Sequence, residues 1–234
     1  MKIFFKENWQ LSVMAAVSLL FNVLFLIFAP LRAFAEAPAS VGEIVARLQQ
    51  TYDNTKDFKA NFVQEATVNS IQKTDMEEGI VFFKSPKNML WNYSRPKAKK
   101  LVINARKVWL YLPQEKVAYT QEADYIFQSK VLIKFLAGLG KLQDDFTIKY
   151  AVPNALDKNG NYLLVLTPLE KNSALNPFRI TVDKSSYLIL QISFEDALGN
   201  STRLKFSNIE PNTGLADKMF QFTPPAGVDI FNMP

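Results

Sequence analysis

The sequence predicts a mainly β domain of the α+β class, in which two amphipathic helices lie against one strongly curved antiparallel sheet. Apolar residues after position 57 recur at every second position in several stretches, which is typical of half-buried strands. Polar, Pro- or Gly-containing turns separate these stretches at short intervals, as in sandwiches and barrels. Two other stretches carry apolar residues at helical spacing. Each predicts a helix with a single apolar stripe, which must be buried against the sheet.

Residues 1–35 have the organisation of a secretory signal peptide. Basic residues stand at the start, an apolar run covers about residues 11–29, and Ala33-Phe34-Ala35 supplies the small residues of a cleavage site. The run approaches the length of a spanning helix, which makes an uncleaved anchor the alternative. Because Asn22 interrupts the run, we expect cleavage after Ala35. The remaining residues 36–234 suffice for one domain with a real core.

The amino-acid composition argues against an enzyme. The chain contains no cysteine and no histidine, so it lacks thiol nucleophiles, disulfides, the commonest general base and the commonest metal ligand. Without a cysteine to acylate, we expect a protein that is not itself lipid-anchored. The net charge of +5 does not indicate nucleic acid as a partner of an exported protein. We therefore expect no catalytic residues, no metal and no cofactor.

The first predicted helix begins after residue 40. Ser40-Val41-Gly42-Glu43 is a capping-box pattern, and apolar residues follow it at helical spacing to about Asp53. From residue 57 the period changes to two, and Phe58, Ala60 and Phe62 alternate with more polar neighbours. This alternation predicts a half-buried strand.

The segment from Gly79 to Gln114 predicts four short antiparallel strands, over about residues 80–84, 89–93, 100–103 and 107–112. It contains two Trp–Tyr pairs, Trp91 with Tyr93 and Trp109 with Tyr111. Since side chains two apart on a strand share a face, each pair gives one side of the sheet a broad aromatic surface. This surface is either ordinary core or the lining of a cavity for an acyl chain or another lipid.

The same segment is rich in basic residues and has no Asp or Glu. Its densest group is Arg95, Lys97, Lys99 and Lys100. Lysines at strand edges discourage aggregation between sheets, which is one interpretation of this group. The other is a docking surface for an acidic partner or for anionic headgroups, because opposite charge steers association.

The rest of the chain predicts one more helix and further hairpins. A strand is expected near residues 116–120, and residues 129–139 return to helical spacing, with Val131, Leu132, Phe135 and Leu136 on one side. Asn159-Gly160 between two apolar runs is a strong hairpin signal. A last meander is expected over residues 178–182, 188–195 and 202–209, for a total of roughly ten or eleven antiparallel strands.

A set of short motifs follows the signal peptide in order. They are Phe58-x-Ala60-x-Phe62-x-Gln64, Gly79-Ile80-Val81-Phe82-Phe83-Lys84-x-Pro86, Trp91-x-Tyr93, the turn at Pro96, Leu101-Val102, Val108-Trp109-Leu110-Tyr111-x-Pro113 and Phe220-x-Phe222-x-x-Pro225-x-Gly227-Val228-Asp229. Together they resemble the periplasmic outer-membrane lipoprotein carriers, the LolA family, over nearly the whole mature chain.

The resemblance implies an incomplete antiparallel β-barrel of about 11 strands with helices forming a lid over a hydrophobic cavity. It also implies a periplasmic chaperone that takes lipoproteins from an inner-membrane ABC transporter and delivers them to an outer-membrane acceptor. We expect this protein to act as a monomer. The acyl-chain cavity is assigned to Phe62, Phe82, Trp91, Tyr93, Trp109 and Tyr111. The lid is assigned to Val131, Leu132, Phe135 and Leu136, and partner docking to Arg95, Lys97, Lys99 and Lys100.

Two positions depart from the family pattern. The family usually has an arginine before the proline of the Lys84-x-Pro86 segment, associated with lid closure and onward transfer, where this chain has Ser85. Arg95, which also precedes a proline, is the candidate substitute. The family favours Asp-Gly in the hairpin before the second tryptophan, where this chain has Asn104-Ala105. Because alanine does not readily adopt a left-handed conformation, we expect that turn to be longer or strained by about 1 kcal/mol.

Three other functions are weighed against the carrier. The first is the same fold used as a sensor or as a carrier of another lipid or glycolipid, which binding of an isolated glycolipid would favour. The second is a hydrolase that uses a serine with a carboxylate or lysine, which the absence of histidine disfavours. An outer-membrane pore is disfavoured by charges spread through the strands and by Pro234 in place of a terminal aromatic residue.

Overall fold

The computed structural model describes residues 39–124, 141–170 and 176–233. The strands, in chain order, are β1 (Asp57–Val68), β2 (Lys73–Lys84), β3 (Asn88–Arg95), β4 (Lys99–Ile103), β5 (Lys107–Leu112), β6 (Val117–Glu122), β7 (Phe146–Tyr150), β8 (Tyr162–Pro168), β9 (Phe178–Val182), β10 (Ile189–Glu195), β11 (Ser201–Pro211) and β12 (Asp229–Asn232). They form one sheet in the order β12-β6-β5-β4-β3-β2-β1-β11-β10-β9-β8-β7.

The predicted mainly β fold, an incomplete antiparallel barrel with helices, is confirmed. In the described part of the chain the sheet has 12 strands, one more than predicted. The additional strand is β12, which runs parallel to β6, with Asp229 opposite Val117. Sequence reasoning missed β12 because it has only four residues, all exposed, and follows a Pro-rich segment without alternation.

The predicted first helix is present as α1 (Val41–Asp53). Ser40 caps it, since its Oγ accepts a hydrogen bond from the Glu43 N–H at 3.2 Å. The apolar stripe of α1 is buried and comprises Ile44, Val45, Leu48 and Tyr52. A short second helix, α2 (Leu142–Asp145), precedes β7, and short 3-10 helices span Asn69–Ile71 and Asp217–Phe220. Within the described ranges, no helix has the length and apolar character needed to cross a membrane.

The sheet has an inner face, which packs against α1, and an outer face. In β1, Phe58, Ala60 and Phe62 point to the inner face and are buried. The pairing register carries this face across the sheet, because Ala60 lies opposite Val81 and Val81 opposite Trp91. Apolar side chains of β1–β3 and β7–β11 join those of α1 in one core. The inner face is therefore the main hydrophobic surface of the domain.

The outer face of β2–β5 is crossed by residues 212–228, here called the strap, which connects β11 to β12. Lys84 on β2 pairs with Asp217 of the strap, with Nζ and Oδ1 2.5 Å apart. Further along, the ring of Phe222 packs on Trp109 and Tyr111 of β5, with ring centroids 5.6 and 5.3 Å apart. These contacts make a second, smaller apolar cluster on the outer face.

Asp57 anchors the start of the strap. Its carboxylate accepts hydrogen bonds from the backbone N–H groups of Thr213 (2.6 Å), Gly214 (3.1 Å) and Leu215 (3.1 Å), and from the Thr213 hydroxyl (3.0 Å). The residue is largely buried, so these bonds replace contacts with water that the carboxylate has mostly lost.

The turn between β4 and β5 differs from the expectation of a longer or strained turn. The Asn104 side chain accepts hydrogen bonds from the N–H groups of Arg106 and Lys107, both at 3.0 Å. Neither Asn104 nor Ala105 has a positive φ. The side chain of Asn104 therefore closes the turn without the conformation that alanine disfavours, and it also donates to the Phe220 carbonyl of the strap at 3.1 Å.

The stability of the domain is expected to fall in acid and to be constant near neutrality. Burial raises the pKa of Asp57, Asp157 and Asp183, but hydrogen bonds to each ionised carboxylate outweigh it and hold the pKa below the ordinary value. The unfolded chain therefore binds protons more readily at low pH, so this stabilisation is present above about pH 4 and is lost as the pH falls through the folded pKa values.

Thermal unfolding measured from about pH 2.5 to about pH 9 tests this expectation. This interval covers the pH values at which carboxyl groups titrate and also the neutral range. Because the chain has no histidine, the melting temperature should change by no more than about 2 °C between pH 5 and 8. A steep change within that neutral range would contradict it.

Candidate functional site

Four aromatic side chains meet on the inner face, contributed by three strands. Phe62 of β1 contacts Trp91 and Tyr93 of β3 in edge-to-face geometry, with ring centroids 4.9 Å apart in both pairs. Trp91 also approaches Phe206 of β11, at 6.2 Å. Phe62 is 2% exposed, whereas Trp91 remains partly accessible. The cluster is therefore a rigid aromatic surface with an accessible side.

A glycine on β2 allows β1 and β3 to bring these rings together. Gly79 lies opposite both Phe62 and Tyr93, between the two strands. A Cβ at this position would overlap the Asn92 carbonyl oxygen and stand 2.8 Å from the Tyr93 Cα. The strand pairing is also irregular at Glu78 and Gly79. Only glycine fits the close approach of β3, so any side chain here would push β3 away from the cluster.

A small cavity adjoins the aromatic cluster. It has a volume of about 20 Å³, which is space for roughly one water molecule. Its walls are almost entirely apolar and come from α1, β1–β3 and the region of β10 and β11; they are Tyr52, Phe58, Ala60, Val81, Phe83, Met89, Trp91, Leu188, Ile189, Phe206 and Ile209. These described residues offer no nucleophile or acid–base pair, and their arrangement is suited to holding an apolar group.

Toward the other end of the same strands, the inner face becomes polar. Lys99 of β4 pairs with Glu77 of β2, with Nζ 2.6 and 2.8 Å from the two carboxylate oxygens. The ammonium also lies 4.2 Å from the ring centre of Tyr93. Burial, reinforced by the negative charge of Glu77, raises the pKa of Tyr93 to about 12. Its hydroxyl therefore stays protonated at neutral pH and donates to Gln64 Oε1 at 3.3 Å.

The six residues assigned to the cavity do not share a face. Phe62, Trp91 and Tyr93 lie on the inner face. The placement of Phe82, Trp109 and Tyr111 beside them was wrong, because these three point to the outer face; the two β5 residues support the strap there. Alternation shows which residues of one strand share a face, but the turn before β5 decides which face that is.

The basic group assigned to docking is also divided. Arg95 forms an ion pair with Glu78, and Lys99 is held by Glu77 on the inner face. Lys97 and Lys100 are exposed. The assignment of these four residues to partner docking stays a prediction, as does the idea that Arg95 replaces the family arginine. The assigned lid residues, Val131, Leu132, Phe135 and Leu136, lie outside the described residues.

Several residues of the site were missed. Tyr52, Leu188 and Phe206 line the cavity but were not assigned to it. Phe206 alternates with polar neighbours, so its inward direction could have been predicted from sequence. The contributions of Tyr52 and Leu188 depend on how α1 lies across β10, for which the sequence carries no local signal.

The sequence matches a family model described as outer membrane lipoprotein carrier protein LolA over residues 53–223. The outer-membrane lipoprotein carrier protein of Methylococcus capsulatus is 27% identical over 208 residues, covering 88% of this chain and 96% of that protein. The protein of the same name from Neisseria meningitidis serogroup B is 28% identical over 199 residues, covering 85% and 91%. An uncharacterized conserved protein from Thermus thermophilus has a similar fold, with a TM-score of 0.52 at 15% identity, over 83% of this chain and 100% of that chain.

Proposed function

Because this chain belongs to the LolA family of outer membrane lipoprotein carrier proteins, we propose that it carries lipoproteins across the periplasm and shields their acyl chains on the inner face of its sheet. The observation that supports this most directly is the apolar, aromatic inner face, with its accessible Trp91 and small apolar cavity, in a chain that matches the family model over residues 53–223.

The energetics of the cargo require such a shield. A lipid anchor with about 40 methylenes would cost on the order of 30 kcal/mol to expose fully to water. Free diffusion of a lipoprotein through an aqueous compartment is therefore excluded. A carrier that recovered all of this free energy would not release its cargo, so the inner face should cover the chains incompletely and pass them directly to a better site.

Loading requires the inner face to open. The cavity of about 20 Å³ is more than tenfold smaller than the roughly 300 Å³ at the lower end of ordinary ligand pockets. An acyl chain must therefore displace groups that now fill the space, and α1 covers one side of it through Tyr52. Tyr52 is held to β10 by the hydrogen bond from the Ile189 N–H to its hydroxyl, at 3.3 Å. Displacement of α1 would break this bond.

The family also suggests which proteins supply the lipoprotein and receive it. We propose that an inner-membrane ABC transporter supplies the lipoprotein and that an outer-membrane acceptor receives it. Exposed Lys97 and Lys100, at the turn before β4 and on its outer face, are available for contact with acidic surfaces of these partners. Their neutralisation should slow association at low salt more than it changes acyl binding.

The test is release of a triacylated lipoprotein from inner-membrane vesicles that contain the transporter of the same species. Addition of the exported protein and ATP should yield a soluble complex of one carrier with one lipoprotein. Omission of ATP is the control for passive exchange. Failure of release by a folded protein would contradict the carrier function. Binding of an isolated glycolipid instead would favour a carrier of another lipid.

A further inference from the structure

The inner face changes from apolar to polar along the direction of its strands. On β1 the inward residues run from Phe58 through Ala60 and Phe62 to Gln64, and on β2 from Phe83 through Val81 to Glu77. The neighbouring strands follow the same order, from Met89 to the Tyr93 hydroxyl on β3 and from Ile103 to Lys99 on β4. One surface thus has the polarity of an amphiphile, with an apolar end at the cavity and a polar end beyond the aromatic cluster.

The polar end is a connected network contributed by four adjacent strands. Lys99 donates to Glu77 at 2.6 Å, Gln64 Nε2 approaches Glu77 Oε2 at 3.4 Å, and the Tyr93 hydroxyl donates to Gln64 at 3.3 Å. Tyr93 links this network directly to the apolar part, because its ring is in edge contact with Phe62. The polar groups therefore lie within one side-chain length of the aromatic surface.

The charged pair is only partly accessible to water. The side chains of Lys99 and Glu77 are 25% and 23% exposed. A charge pair removed this far from water is usually no more stabilising than apolar residues of similar size, because desolvation offsets the attraction. A contribution to the free energy of unfolding is therefore a poor explanation for the presence of this pair. A lysine in this position keeps one N–H direction for a further acceptor after its two contacts with the carboxylate.

We propose that Lys99, positioned by Glu77, binds the ester or amide carbonyl oxygens that join acyl chains to their polar headgroup. This inference rests on the proposed function. An acyl chain that enters the apolar end of the inner face places its first carbonyl where the surface becomes polar, next to Tyr93 and Lys99. A carbonyl oxygen only accepts hydrogen bonds, and a lysine ammonium only donates them. The site would therefore fix the depth to which the chains enter.

The experiment compares two ligands that differ only in these carbonyls. One is a glycerol with two palmitoyl ester chains, and the other is the matched glycerol with two hexadecyl ether chains. Trp91 reports binding by fluorescence in a Trp109→Phe background, since these are the two tryptophans that remain after residues 1–35 are removed. The variant is Lys99→Met, which keeps the length of the side chain. The control is Lys149→Met, which changes an exposed lysine of β7 that belongs to neither the cavity nor the docking group.

We expect Lys99→Met to weaken ester binding by about tenfold and ether binding by no more than about twofold, as for loss of one hydrogen bond from a charged donor. Lys99→Arg should keep the preference for the ester, which preserves the test if the methionine variant folds poorly. Equal losses for both ligands, or no loss for either, would overturn the inference while leaving the acyl-binding function intact. If neither ligand binds the unaltered protein, both the inference and the proposed function fail.

Ester carbonyls occur in lipoprotein anchors and in membrane phospholipids, so the source of the ligand needs a separate comparison. A triacylated lipopeptide and a diacyl phospholipid with the same chains are titrated in parallel against the unaltered and Lys99→Met proteins. The proposed function predicts at least about tenfold tighter binding of the lipopeptide. Tighter binding of the phospholipid, with the same dependence on Lys99, would support the carbonyl site and contradict the lipoprotein as cargo.

Discussion

Replacement of Trp91 by aspartate should weaken binding of an acylated ligand by at least about 100-fold, whereas the same change at Trp109 should alter it by less than about threefold. Trp91 lines the cavity and touches Phe62 and Phe206, so a carboxylate there would face an acyl chain without a partner. Trp109 lies on the outer face, where it contacts Phe222 of the strap. The affinity of each variant for a fluorescent fatty acid or a lipopeptide measures the difference.

Both variants should melt at a lower temperature than the unaltered protein, because each removes an aromatic side chain from a packed cluster. Trp109→Asp removes the contact that holds the strap, so its melting temperature should fall although its inner face is intact. Binding is therefore measured at a temperature at which circular dichroism shows both variants to be folded. Trp91→Gln serves as a neutral control and should lose less affinity than Trp91→Asp. Similar losses of binding for Trp91→Asp and Trp109→Asp would contradict the assignment of the two faces.

The variant Asp57→Ala is expected to lose about 3 kcal/mol of stability and to melt about 6–12 °C lower than the unaltered protein. The aspartate accepts hydrogen bonds from four donor groups of Thr213, Gly214 and Leu215, and its removal leaves three backbone N–H groups without this acceptor. Because the same residues begin the strap, we also expect amide hydrogen exchange to accelerate across residues 212–222. Thermal unfolding and exchange measured on the same samples test both expectations.

Asp75→Ala is the matched control for this variant. Asp75 lies on β2 and pairs with Lys73, but both side chains are about 60% exposed. An exposed ion pair contributes roughly 0–1 kcal/mol, so the melting temperature should change little. A loss of stability in Asp57→Ala no larger than in Asp75→Ala, or a loss without faster exchange in the strap, would show that Asp57 does not anchor it.

The architecture was largely predictable because its signals are local. The alternation of Phe58, Ala60 and Phe62 and the capping pattern at Ser40 each report a feature of a few neighbouring residues, and the structure has β1 and α1 where these patterns place them. β12 carries no such local pattern, because its formation depends on its pairing with β6. The turn at Asn104 was misjudged since its side chain, rather than a left-handed backbone, closes it.

The candidate site was predicted less completely. The aromatic residues were recognised as a surface. The face to which Phe82, Trp109 and Tyr111 point depends on how β2 and β5 pair with their neighbours, and this register cannot be predicted from the sequence alone. The partnership of Lys99 with Glu77 joins residues of two strands that are not neighbours in the sheet. From the sequence, Lys99 looks like one of several surface lysines. Its partner Glu77 lies before the basic segment that begins at Gly79, so the sequence does not indicate the pair.

The parallel pairing of β12 with β6 has a consequence for the timing of assembly. β6 has β5 on one side and β12 on the other, and β12 follows every other strand in the described chain. In a chain that emerges with its N-terminus first, from a ribosome or a translocon, the free side of β6 stays uncovered until residues 229–232 arrive. Such an edge is a template for pairing with a second chain. Protection against misassembly during synthesis therefore depends on how quickly the strap brings β12 into place.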